Sequence, residues 1–263
     1  MKKIIVLCLS LLLLVCGCGK TSKEDIINDF TKSVEGTKAY KLTGTMEILN
    51  DEDTFKYNLE AYYLKDNYYK VILVNQTNNH EQVILRNDDG VYVITPSLNK
   101  SFKFDSVWPE NSSQSYLLKP LLNDVTNDQS AEVSEDETNY IIKSTVNYPN
   151  NSEMSYQKIY LTKDKIIDKV EVYNKDNQVK ISVKFTTVDL KANLTKDDFA
   201  LDNYIDEENN QNCEGENCDE TTSSIEDIIY RLYVPTNTYL TSSDTINNET
   251  TQRVILTFSG DKN

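Results

Sequence analysis

The chain has 263 residues, with 27 Lys and Arg against 42 Asp and Glu, a formal net charge of −15. Such a surface repels polyanions, which excludes nucleic acid as a partner and anionic lipid headgroups as a general docking surface. One histidine is too few for zinc hydrolases, which draw on two or three, and the isolated glycines make no phosphate-cradling loop.

Residues 1–17, MKKIIVLCLSLLLLVCG, place two lysines before an apolar run from Ile4 to Cys16 broken by Ser10. This is the plan of a secretory signal, and it is too short for a membrane span of about 20 residues. The block Val15-Cys16-Gly17-Cys18 resembles the bacterial lipobox, where an aliphatic residue and a small residue precede the lipidated cysteine. Cys18 fits because Gly17 precedes it. Cys16 fits poorly, because the branched Val15 stands where a small residue is needed. The alternative is an ordinary secretory leader with incidental cysteines. On the lipobox reading Cys18 becomes the first mature residue. Stable anchoring takes two or more acyl chains, and a diacylglyceryl thioether supplies them.

Residues 18–38 then comprise the anchor and an N-terminal helix, SKEDIINDFTKSVEG. Ser22 caps it, Asp25 makes an imperfect capping box, and Ile26, Ile27, Phe30 and Val34 form one face before a stop at Gly36. In Thr54–Leu64 the residues Phe55, Tyr57, Leu59, Ala61 and Tyr63 alternate with Lys56, Asn58 and Glu60, the mark of a strand with one wet face. YYKVILVNQ, HEQVILRN, GVYVITPS and SFKFDS follow at short intervals, with NDDG at 87–90 as a turn, so the strands form an antiparallel meander. The meander breaks at Trp108-Pro109. ENSSQSYLLKPLLNDV then reads as a helix capped by Ser112 or Ser113 and kinked or split by Pro120, and NDQSAEVSEDETN as an acidic loop.

Four more strands are expected at Tyr140–Tyr148, Met154–Thr162, Ile166–Asn174 and Gln178–Val188, the last two a hairpin about KDN. NLTKDDFAL reads as a short capped helical turn. Residues 203–224 are an acidic linker or loop, and 225–263 a small C-terminal module of one brief helix and two strands.

The block VYVITPSLNKSFKFDSVWPENSSQSYLL, residues 91–118, runs strand, proline turn, Lys-aromatic strand and then Trp108, Pro109, Gln114, Tyr116 and Leu117. In this order it resembles the LolA-like lipoprotein-carrier superfamily, nearest to the sporulation and germination lipoproteins of Gram-positive spore formers. The likeness extends over about Ala39 to Leu201, so residues 39–202 are expected to be the LolA-like domain. The tail YVPTNTYL…RVILTFSGDK is similar to a module that follows this domain in many members, and it is expected to be cut short. The resemblance implies a mainly β fold: a curved, half-open antiparallel β-barrel with helices across its concave face.

His80 lies in the turn NNHEQ and reads as solvated, and the many acids read as wet surface, so no catalytic residue, metal or cofactor is assigned. EF-hand spacing is absent. Cys213 and Cys218, outside the cytosol, read as a disulfide closing a small loop, the alternative being two free thiols. Phe55, Tyr57, Leu59 and Tyr63 are core in a flat sandwich and line an apolar cavity in an open barrel. The resemblance implies a non-enzymatic lipoprotein, anchored through Cys18 on the extracytoplasmic face of the cell membrane, in envelope or spore-cortex biology. Two roles follow: docking on and regulating a cell-wall enzyme such as an amidase, or another envelope protein; alternatively, carrying or sensing a lipid or acyl ligand in the cavity.

Overall fold

The computed structural model describes residues 22–49, 53–110, 112–149 and 151–205, with the backbone of strands at 223–224, 238–248 and 251–260. The leader, Cys18, Cys213, Cys218 and the expected tail helix lie outside the described residues.

Helix α1 (Lys23–Glu35) starts on a complete capping box, each of Ser22 and Asp25 satisfying the other's backbone N–H. It buries Ile26, Phe30 and Val34. Six strands follow as a meander: β1 (Ala39–Leu49), β2 (Thr54–Leu64), β3 (Tyr68–Asn75), β4 (Glu81–Asn87), β5 (Gly90–Thr95) and β6 (Lys100–Asp105). After helix α2 (Leu118–Asn127) comes a second meander: β7 (Glu132–Glu135), β8 (Asn139–Thr145), β9 (Met154–Thr162), β10 (Ile167–Asn174) and β11 (Val179–Asp189).

The two meanders join where β1 pairs with β11, giving the order β6-β5-β4-β3-β2-β1-β11-β10-β9-β8-β7. All these pairings are antiparallel, and the sheet stays open between β6 and β7. It is the expected half-open barrel. At the free edge of β6 the pair β12 (Ser223–Ser224) adds in parallel, and β13 (Thr238–Asn248) with β14 (Thr251–Gly260) makes a separate hairpin.

Both helices lie on one face. Their apolar residues merge with the inward side chains of β1–β3 and β8–β11 in the main core. The opposite face carries a second core over β3–β5, where Tyr68, Val83, Leu85, Tyr92 and Ile94 meet Phe199 and Ile205. The turn predicted at NLTKDDFAL is real: a 3-10 helix at Lys196–Phe199, started by a Thr195–Asp198 capping box, brings Phe199 down onto that face.

Three expectations need correction. Strand β1 is not among the strands expected from the sequence, yet it joins the two meanders. Ser112 and Ser113 cap no helix. Residues 112–117 are non-helical, and α2 begins at Leu118 with Pro120 in its first turn, where a missing N–H costs nothing and causes no kink. The acidic loop contains the short edge strand β7, held to β8 by backbone pairing.

Candidate functional site

The register across β1, β2 and β3 aligns three inward tyrosines, Tyr40 opposite Tyr63 and Tyr63 opposite Tyr69. Their ring centroids are 5.2 and 5.1 Å apart, and Tyr69 meets Trp108 edge-on at 6.1 Å. Helix α2 starts directly on this aromatic row. The Leu118 N–H donates to Tyr40 Oη at 3.4 Å, and Lys119 Nζ lies 4.6 Å from the Tyr63 ring centroid.

The segment that delivers α2 to this place is the motif quoted above. Trp108 is 1 % exposed, and Pro109, Gln114, Tyr116 and Leu117 are buried. Arg86 donates to the Val107 carbonyl at 2.9 Å, fixing the approach to the Trp108 ring. Tyr116 Oη donates to Gln114 Oε1, whose amide donates to Ser112 Oγ. Ser113 exchanges two bonds of 2.7 Å with Asn147. These residues act as a strap that seats a helix; the structure keeps them inside.

Of the four proposed cavity residues, Leu59 and Tyr63 are each 1 % exposed, Phe55 is buried and Tyr57 half-buried. All four pack in or against the main core, beneath elements of the chain itself.

A cleft of about 200 Å³ opens elsewhere on the same face, between α1, the β9–β10 turn and the end of β11. Phe30, Val34, Leu118, Ile167, Val188 and Leu190 form its apolar walls, while Asp29, Ser33, Asp164 and Lys165 supply polar groups. Lys165 Nζ donates to the Asp29 carboxylate, tying the turn to α1, and that pairing raises the Lys165 pKa. Ile166 stands at the base of the turn, opposite Thr162, and is 48 % exposed. Asp29 and Lys165 are far apart in sequence, so no local pattern signalled the cleft.

Under α2, Asp124 accepts a hydrogen bond from Gln157 Nε2 at 3.0 Å, and Gln157 also donates to Ser144 at 3.3 Å. Burial pushes the Asp124 pKa up to about 6, against the opposing hydrogen bonds of Ser113 and Gln157. His80 is half-buried in the β3–β4 turn, its carbonyl accepting from the Asn75 N–H. Among the described residues no group of three His, Cys, Asp or Glu side chains is placed to hold a metal ion. No described helix is long and apolar enough to cross a membrane.

Residues 1–199 match the family model described as sporulation protein YdcC-like. The chain is 32 % identical over 255 residues to sporulation protein YdcC of Bacillus subtilis (strain 168), covering 95 % of this chain and 73 % of that protein. Among solved structures it is similar to the CwlD amidase–GerS lipoprotein complex from Clostridioides difficile (TM-score 0.37, 17 % identity, 64 % of this chain and 95 % of that one). A LolA superfamily protein from Nitrosomonas europaea aligns with a TM-score of 0.39 and 10 % identity, over 70 % of this chain and all 100 % of that one.

Proposed function

The chain belongs to the YdcC-like family of sporulation proteins, and from that premise we propose a lipid-anchored, extracytoplasmic protein without catalytic activity that docks on a cell-wall enzyme and regulates it. The observation that carries docking over cargo transport is the packing of the inner face. Leu59 and Tyr63 lie closed beneath the protein's own side chains, with Lys119 over the Tyr63 ring. A face filled in this way leaves the outside of the molecule to do the work. Anchoring rests on the leader and on Cys18, whose diacylglyceryl group would hold the domain at the membrane.

Crosslinking in sporulating cells, followed by affinity recovery of the tagged protein, tests the docking role. Recovery of a wall amidase whose activity changes on adding the purified protein supports it, and recovery of no envelope protein overturns it. Cys18→Ala tests the anchor independently. Unprocessed precursor or release into the medium is expected, and unchanged mass and membrane attachment would refute it.

The second reading, a lipid carrier or sensor, is favoured by the cleft of about 200 Å³ with its apolar walls. It requires a lipid that survives purification from the native membrane and appears in native mass spectrometry.

A further inference from the structure

Two large apolar side chains are exposed among the described residues, Val107 at 58 % and Ile166 at 48 %. The Val107 carbonyl is bound by Arg86, and its segment is the approach to the buried Trp108. Ile166 closes its turn through backbone alone, its carbonyl accepting from the Thr162 N–H at 2.8 Å and its N–H donating to Thr162 Oγ1 at 3.3 Å, and the side chain stays at the surface. It projects from the turn between β9 and β10, beside the mouth of the apolar cleft that it helps to line. The turn is fixed against α1 by the Lys165–Asp29 bond, and Lys165 also acts electrostatically on Asp25 in the helix's first turn. The base of the turn and the start of α1 are therefore neighbours.

That location matters because residues 19–21 alone separate Cys18 from the Ser22 cap. Fully extended, this stretch reaches at most roughly 14 Å. A lipid on Cys18 therefore holds the start of α1, and the β9–β10 turn with it, close to the bilayer. We propose that this turn is a second membrane contact, in which Ile166 enters the boundary between headgroups and acyl chains beside the anchor. The proposal rests on the anchor reading and adds an orientation to it: the cleft mouth faces the membrane and the β3–β4 turn faces away.

The charges around the turn define the kind of membrane contact. Lys163 is paired with Glu135, Lys165 with Asp29, and Asp164 lies between them. The turn has little charge left to attract or repel anionic lipid, and at this end of the sheet Asp88 is paired with Lys196 and Asp66 stands next to Lys65. Contact through Ile166 is consequently apolar, as for side chains that bury a few ångströms into the interface, and insensitive to anionic lipid.

The test uses full-length lipidated protein in phosphatidylcholine vesicles, with and without phosphatidylglycerol. Cys213 and Cys218 are replaced by Ser, and a polarity-sensitive dye is attached at Ile166→Cys or, as a control, at Thr77→Cys in the β3–β4 turn. At position 166 the emission should shift to the blue, and a nitroxide on the lipid headgroup should remove most of it, equally in both vesicle types. Position 77 should behave as in water. A water-like signal at 166 on protein whose mass shows the lipid would overturn the contact and leave the anchor standing. A mass without lipid would remove the anchor, and the contact with it. Burial of the dye only when a second protein is added would make the Ile166 side chain a protein contact and also overturn the proposal.

Discussion

The Asp124 carboxylate on α2 accepts a 3.0 Å hydrogen bond from Gln157 Nε2 on β9, and both groups sit between the helix and the sheet. Burial raises the Asp124 pKa from 3.8 to about 6. A carboxylate whose folded pKa is raised costs nothing below pH 4, where both folded and unfolded forms are protonated. The cost grows between pH 4 and 6 and is complete above pH 6. After allowance for its remaining contact with solvent, we expect about 2 kcal/mol. Asp124→Asn should raise the melting temperature at pH 7.5, and the advantage should vanish by pH 4. An equal advantage at both pH values would show that the charge is not its source.

At Gly44 the backbones of β1 and β11 approach too closely to admit a side chain. A Cβ there would lie 2.1 Å from the Lys184 carbonyl oxygen, and the register slips between Thr43 and Gly44. The obstacle is backbone, so it cannot swing aside. Gly44→Ala is expected to cost about 2–3 kcal/mol by forcing apart the seam that joins the two meanders. Urea denaturation measures it, and a loss below 0.5 kcal/mol, judged against the cost of ordinary overpacking, would mean the seam is more yielding than its geometry.

Much of this architecture is legible from local patterns. Strand β2 has the predicted bounds because Phe55 to Tyr63 alternate without interruption, and α1 is marked by Ser22 and Asp25. Strand β1 is harder to read, although Tyr40, Leu42, Met46 and Ile48 repeat at period two. The series is broken by Gly44, whose reason for being there is a contact with β11 some 140 residues away. For α2, Ser112 or Ser113 as a cap implied a longer helix, but Ser112–Leu117 find their partners in Asn147 and one another. The cleft depends on Lys165 meeting Asp29 and was outside the reach of any local reading.

Trp108 ends the aromatic row and is 1 % exposed, yet its Nε1–H is buried without an acceptor. Two opposed contributions follow, since the ring fills space while the N–H is desolvated without recompense. Trp108→Ala should cost about 3–5 kcal/mol through the void it leaves. Trp108→Phe keeps most of the ring and removes the orphan donor, so its cost should stay near 1 kcal/mol. Circular dichroism during thermal unfolding reads both. Equal losses for the two variants would show that the indole N–H has a partner.

On the outer face, Lys70 of β3 is buried, and its ammonium donates to the Asp198 carbonyl at 2.8 Å. The rings of Tyr62, Phe199 and Tyr204 surround it at 4.3, 5.5 and 5.8 Å. Burial lowers its pKa below the ordinary lysine value. The bond and the rings together pin residues 196–204 to the sheet, where they cover Tyr68, Val83 and Leu85. Lys70→Met retains the apolar stem and deletes the charge, the hydrogen bond and the cation–π contacts. A loss of roughly 1–2 kcal/mol is expected, with faster amide exchange confined to residues 196–204 and unchanged exchange in α2. Acceleration spread evenly over both faces would mean that this segment unfolds only with the whole domain. Lys70 would then contribute to global stability without acting as the local clasp of the outer face.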